Sequence, residues 1–208
     1  MKGFSIIGIG TDVGKTVVSA SIVEAIKGVY FKPIQAGDLD NSDSIKVKRW
    51  CSAEVKVEKE CYQLTQPIAP HEAAKIDGKR IKLRDISFPK TEKPIVLEGA
   101  GGILVPLNDE KETILDIHKK SGLPAIVVSR HYLGSINHTL LTIKTLQNTA
   151  ITIKGIVYVG AENPGTESII EAFTNIKMIG RIILPTDITS DFIKSSSKQF
   201  EGLIYEIF

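Results

Sequence analysis

The chain has 208 residues, 42% of them hydrophobic, with 26 basic and 24 acidic side chains for a net charge of +2. That length supports one sizeable core rather than two domains, and no apolar run approaches the ~20 residues of a membrane span. The charges are interspersed, Lys46, Lys48 and Arg49 and then Lys56 and Lys59 being separated by Glu54, Glu58 and Glu60, which argues against a nucleic-acid stripe. Phe4, Ile6, Ile7 and Ile9 read as a buried strand, and Thr16 to Lys27 as the helix after it. The opening strand without a charged-then-apolar leader, and two cysteines (Cys51, Cys61) too loosely spaced for a disulfide framework, set the expectation of a cytoplasmic protein.

The strand-to-helix turn reads G-I-G-T-D-V-G-K-T from Gly8 to Thr16. Backbone N–H groups of a glycine-rich turn and of a helix start both point at a bound anion, so this is the context of a phosphate loop. Lys15 would bring charge to the outer phosphates and the Thr16 hydroxyl would ligate Mg²⁺. Five residues separate Gly8 from Gly14 and three separate Gly10 from Gly14, so neither spacing gives the usual four. An ordinary tight turn with a solvated lysine is the bland alternative, but a G-K-T tripeptide opening the first helix seldom arises that way.

Val29 to Lys32 reads as a second strand closed by Pro33, which leaves Lys32 at the carboxyl end where open α/β sheets bind ligands. Asp38, Asp40, Asn41, Ser42 and Asp43 then form an acidic cluster ahead of a helix over 44–51; they either reach a metal or cap that helix. Trp50, the sole tryptophan, reads as a packing residue. Pro70 opens a helix with His71 in its first turn, and 79–93 shows no period. A third strand over 94–97 ends in Glu98-Gly-Ala-Gly-Gly, a carboxylate followed by glycines that allow close backbone approach. Thr113 to Ser121 reads as a helix stopped by Gly122 and Pro124, with His118 expected on its surface. A strand over 125–128 precedes a helix opening at Ser135, a candidate N-cap whose free N–H groups suit a second anion. Strands over 153–159 and 178–184, with a helix over 168–174 between them, complete the set. The alternation predicts one α/β domain over 1–208, a mostly parallel doubly wound sheet of the phosphate-loop NTPase kind flanked by helices.

Taken together, G-x-x-x-x-x-G-K-T (Gly8 to Thr16), K-P-I-Q (Lys32 to Gln35), N-S-D (Asn41 to Asp43), P-H (Pro70, His71), E-G-A-G-G (Glu98 to Gly102) and L-G-S-I-N-H (Leu133 to His138) resemble the dethiobiotin synthetases in order and spacing. The five-residue glycine spacing is that family's own. The resemblance implies ATP- and Mg²⁺-dependent closure of a ureido ring from 7,8-diaminononanoate and CO₂ or bicarbonate. It assigns catalysis to Lys32, Lys15 and Thr11. Nucleotide contacts fall to Asp12, Val13, Gly14, Lys15, Thr16, Val17, Asp43, Glu98, Gly99 and Gly101. Mg²⁺ falls to Thr16, Asp43 and Glu98, and substrate to Lys32, Gln35, Ala36, Gly134, Ser135 and Asn137, with Gly134 to Asn137 contributed across a homodimer. Three departures stand out: Ala36 where relatives carry a hydroxyl, Val159-Gly160 where many place an Asn-Asp pair to read adenine, and Tyr132 where some place lysine, which leaves positive charge to Arg130 or His131. A regulatory ATPase of the partitioning or metallochaperone type is the alternative, but its loop carries an early lysine, and none lies between Lys2 and Lys15. An amidoligase acting on another carboxylate would leave L-G-S-I-N-H and K-P-I-Q without a shared rationale.

Overall fold

Strand β1 (Gly3–Gly8) is buried at every position, as a central parallel strand covered on both faces must be. The computed structural model describes residues 1–207. In chain order the remaining strands are β2 (Val29–Phe31), β3 (Ile34–Ala36), β4 (Lys56–Val57), β5 (Tyr62–Leu64), β6 (Ile95–Gly102), β7 (Ala125–Arg130), β8 (Ile153–Val159) and β9 (Met178–Ile182). Seven of the nine strands form one parallel sheet in the order β4-β2-β6-β1-β7-β8-β9, while β3 and β5 pair separately, also in parallel. The chain winds outward from β1 on one side, returns through β6 and continues on the other side. The crevice at the carboxyl ends of β1, β6 and β7 is therefore the topological switch point.

The helices are α1 (Lys15–Ile26), α2 (Asp43–Trp50), α3 (Pro70–Ile76), α4 (Ile114–Ser121), α5 (Ser135–Gln147), α6 (Pro164–Thr174) and α7 (Ser190–Ser197). Helix α1 is buried almost all round, with Val18, Ile22 and Val23 at zero exposure. It packs against the sheet on one side and α2, α7 and the C-terminal 3-10 segment on the other, so its lack of a polar face is what its position requires. A larger cluster joins β1, β7 and β8 to α1, α5 and α6, and a smaller one joins β2 and β6 to α3 and α4.

The differences from the expected elements are local. β6 does not stop at Leu97 but runs through the glycines to Gly102, because Glu98 still pairs with Ile6 and Gly102 with Gly8. α6 starts at Pro164 rather than 168: Asn163 Oδ1 caps it by accepting from Thr166 N (3.1 Å), and proline fits the first helical position. β3, β4, β5 and α7 were not expected. His118 is not a surface residue. It is fully buried, hydrogen-bonds through Nδ1 with Ser5 Oγ (3.1 Å), and burial pushes its pKa down to about 3.

Candidate functional site

The loop between β1 and α1 is held by close approach. Gly14 stands at the N-cap of α1 with φ 92°, a left-handed conformation that side chains rarely adopt, and a Cβ there would lie 2.9 Å from Val159 Cγ1. No side chain caps the helix, which leaves its first-turn N–H groups for an anion. Asp12 is also left-handed (φ 56°), a strained setting for a non-glycine residue. Val13 packs inward. Lys15 folds back over the loop and donates Nζ to Gly10 O (2.6 Å). Burial lowers its pKa to about 8, only partly offset by the charge of Glu98.

Beside this loop the Lys32 ammonium lies between two carboxylates, donating to Asp43 Oδ2 and to Glu98 Oε1 (3.1 Å). Thr16 Oγ1 donates to the same Glu98 oxygen (3.1 Å), and the Tyr30 hydroxyl donates to Glu98 Oε2 (3.0 Å). Glu98, at zero exposure, thus has both oxygens occupied, as a buried carboxylate must. Burial acts to lower the Lys32 pKa, but Glu98 and Asp43 outweigh it and hold the group above its ordinary value. Burial acts to raise the Asp43 pKa, and Lys32 outweighs it in turn, so this carboxyl lies below its ordinary value. Tyr30 is pushed well up by burial and by Glu98, which keeps it a donor.

These groups line a cavity of ≈ 820 Å³ bounded by Thr11, Asp12, Gly14, Lys15, Thr16, Val17, Lys32, Gln35, Ala36, Asp43, Glu98 and Gly101. Of the anticipated residues, Gly99 is not in the wall. A Cβ on it would sit 2.7 Å from His118 Nε2, so its glycine serves the packing of α4 under β6. Gln35 lines the cavity but its amide is engaged, with Nε2 donating to Gly37 O (2.9 Å) and Oε1 accepting from Asp43 N (3.3 Å), so it positions Asp43. Gly134, Ser135 and Asn137 lie outside this cavity, at the start of α5, where Gly134 rather than Ser135 occupies the N-cap. Arg130 Nη1 reaches the phosphate loop, donating to Asp12 O (3.3 Å), whereas His131 turns to Glu167. The sequence reading missed Lys46, Ala100 and Val105 as wall residues and read Trp50 as packing alone; it packs against the core and also lines the cavity. For Lys46 and Trp50 on α2 and Ala100 on β6, the nearness to Asp43 and Glu98 was the available signal; Val105 lies three residues beyond β6 and carried none.

Fold and loop together define a phosphate-loop nucleotide-binding α/β protein. A family model described as an AAA domain matches residues 2–190. The ParA family ATPase of Chlorobium tepidum TLS superposes with a TM-score of 0.61 at 11% identity, covering 98% of this chain and 97% of that one. The cell division ATPase MinD of Pyrococcus furiosus does so at 0.61 and 15%, covering 100% and 98%; at such identities the likeness is one of fold. Sequence relatives are far nearer: the ATP-dependent dethiobiotin synthetase BioD of Christiangramia forsetii is 48% identical over 99% of both chains. Its counterpart in Paramagnetospirillum magneticum is 39% identical over 88% of each. The chain belongs to the dethiobiotin synthetase family.

Proposed function

We propose that the protein closes the ureido ring of dethiobiotin from 7,8-diaminononanoate, CO₂ and ATP, with Mg²⁺. One amine of the substrate adds to CO₂ to give a carbamate, and a carbamate oxygen attacks the γ-phosphorus as ADP departs. The second amine then attacks the carbonyl carbon of this mixed anhydride and displaces phosphate, closing the ring. Such a sequence needs positioning and charge stabilisation more than covalent help from the protein.

The first-turn N–H groups of α1 and Lys15 hold the triphosphate, and Lys15 exchanges its bond to Gly10 O for phosphate oxygens. Lys32 stabilises charge on the carbamate and the transferring group. Thr11 and Asp12 lie beside these atoms at the mouth of the loop. The Asp43 and Glu98 carboxylates already converge on one cation, the Lys32 ammonium, and the Thr16 hydroxyl bonds the same Glu98 oxygen, so three hard oxygen donors stand close enough together to fit Mg²⁺. Mg²⁺ when bound neutralises charge on the β- and γ-phosphate oxygens. Gly134, Ser135 and Asn137 reach the diamine of a partner subunit in a homodimer. Arg130 rather than His131 supplies the positive charge that Tyr132 lacks, since its guanidinium already touches the phosphate loop.

The observation that carries this reading is the buried Lys32 ammonium between Asp43 and Glu98, one hydrogen bond from Thr16. A partitioning-type switch carries its extra lysine inside the phosphate loop, whereas here the second buried lysine follows β2 and reaches Glu98 of β6. Incubation with Mg²⁺-ATP, bicarbonate and diaminononanoate should yield the ureido product by mass spectrometry. Absence of product from protein that still binds nucleotide would overturn the assignment.

A further inference from the structure

Beyond the carboxyl end of β8, where Val159 meets Gly14 of the phosphate loop, lies a polar network that the reaction above does not use. Glu167, in the first turn of α6, accepts at Oε1 from His131 Nε2 (2.9 Å) and from Asn163 N (2.9 Å), and at Oε2 from Arg181 Nη2 (2.6 Å). A carboxylate can only accept here, so His131 carries its proton on Nε2. Arg181 Nη1 donates to the carbonyls of Gly160 and Ala161, both at 3.4 Å, and its guanidinium lies over the Tyr158 ring at 5.7 Å. His131 stacks on the same ring with centroids 5.1 Å apart. The three polar side chains are only 13–17% exposed.

The segment so gripped, Gly160 to Asn163, follows β8, and Val159 at the end of β8 is the residue against which Gly14 of the phosphate loop packs. It is thus the stretch beside the triphosphate site on the side of β8 and β9. Neither Val159 nor Gly160 has a side chain that can hydrogen-bond a base, and Gly160 N is spent on Ile182 O (2.8 Å). A nucleoside extending from the triphosphate site to this side would meet backbone groups, and their placement depends on what holds the segment. Half-buried ion pairs contribute little net stability, so a network of this extent is better explained by what it fixes in place.

We propose that Glu167, Arg181 and His131 are positioning residues for the segment 160–163, and through it set the grip on the nucleoside half of the bound nucleotide. The inference rests on the nucleotide reading of the Gly8–Thr16 loop. The two halves of the ligand separate them experimentally: inorganic tripolyphosphate engages the phosphate loop alone, whereas ATP engages both. Calorimetric Kd values for Mg²⁺-ATP and Mg²⁺-tripolyphosphate would be measured on the native protein and on the R181M, R181K and E167Q variants. R181M is expected to weaken ATP about tenfold, the loss of one ordinary hydrogen bond, while tripolyphosphate holds its Kd. R181K, which keeps the charge but not the two-carbonyl fork, should recover part of the loss, and E167Q should fall between. Unchanged ATP affinity in R181M, or equal loss for ATP and tripolyphosphate, would overturn the inference, since a merely structural network would give one or the other. Failure of the native protein to bind either ligand would instead bring down the nucleotide reading, and this inference with it.

Discussion

At Lys32 the fold sets a buried cation between two carboxylates, so its removal acts twice. Lys32→Ala withdraws a preorganised charge from the transferring group, and kcat should fall about a hundredfold or more. It also leaves Glu98, at zero exposure, without its cationic partner, a change that typically costs about 3–5 kcal/mol, so a melting curve must accompany the kinetics. Native turnover in a folded Lys32→Ala variant would move the role elsewhere. Asp43→Ala and Glu98→Ala remove the proposed metal donors instead and should raise the Mg²⁺ concentration needed for half-maximal rate; a normal titration in both would sink the metal assignment. The base end poses the opposite case, an absence of side-chain donors at Val159 and Gly160. Sites that hydrogen-bond a substrate group reject analogues lacking it far better than apolar ones, so ATP, GTP and CTP should support similar rates. A preference for ATP over CTP of about a hundredfold would show that backbone groups form a dedicated pocket after all.

At the scale of elements, β1, α1 and the strands over 125–128 and 153–159 were legible because apolar runs mark them. β3 and β5 are three residues each and β4 two, too short for any period to declare itself, and they exist because β2 and each other supply the partners. α7 reads S-D-F-I-K-S-S-S and buries only Ile193 and Ser197, so its helicity comes from packing on α1 rather than from pattern. The chemistry-bearing strings around Lys15, Lys32, Asp43 and Glu98 were visible because each is contiguous. Tyr30 on Glu98, and the contacts of His131 with Glu167, join residues far apart in sequence and could not be seen. His118 is the plainest case: its neighbours Lys119 and Lys120 suggest a solvated face, yet it docks α4 beneath Gly99 of β6 and against Ser5 of β1. Its pKa of about 3 in the fold lies below the 6.5 of an unperturbed histidine. The unfolded chain therefore binds this proton first as pH falls, and the contribution is complete above about 6.5 and lost progressively toward pH 3. The melting temperature of the native protein should drop more steeply between pH 7 and 4 than that of His118→Leu. Parallel curves would mean that other groups carry the acid limb.

At the scale of the whole molecule, the cavity that holds Lys32 is open, and the loop bearing Gly134, Ser135 and Asn137 is not part of its wall. Beside that loop Leu133 is fully exposed, and Tyr132, Ile136 and Leu141 are exposed with it, an apolar patch at the start of α5 that water alone covers poorly. The proposed homodimer is taken to be two-fold, with this patch buried and each loop at the other subunit's cavity, an isologous contact that presents the same surface in both directions. Each active centre would then combine Lys32 of one chain with Asn137 of the other. Lys32→Ala and Asn137→Ala variants should both be nearly inactive alone. In a mixed dimer of the two, one centre carries both lesions and the other carries neither. Random reassortment of equal amounts gives half mixed dimers with one sound centre each, so mixing should restore about a quarter of native turnover. Recovery must also depend on subunit exchange, appearing after mild dissociation and reassociation and not on simple addition. Leu133→Glu, placing charge in the patch, should shift sedimentation toward the monomer and lose ring closure while keeping its affinity for Mg²⁺-ATP. No recovery on reassortment, with both variants shown by sedimentation to exchange, would place Asn137 in the same chain's centre or outside catalysis altogether.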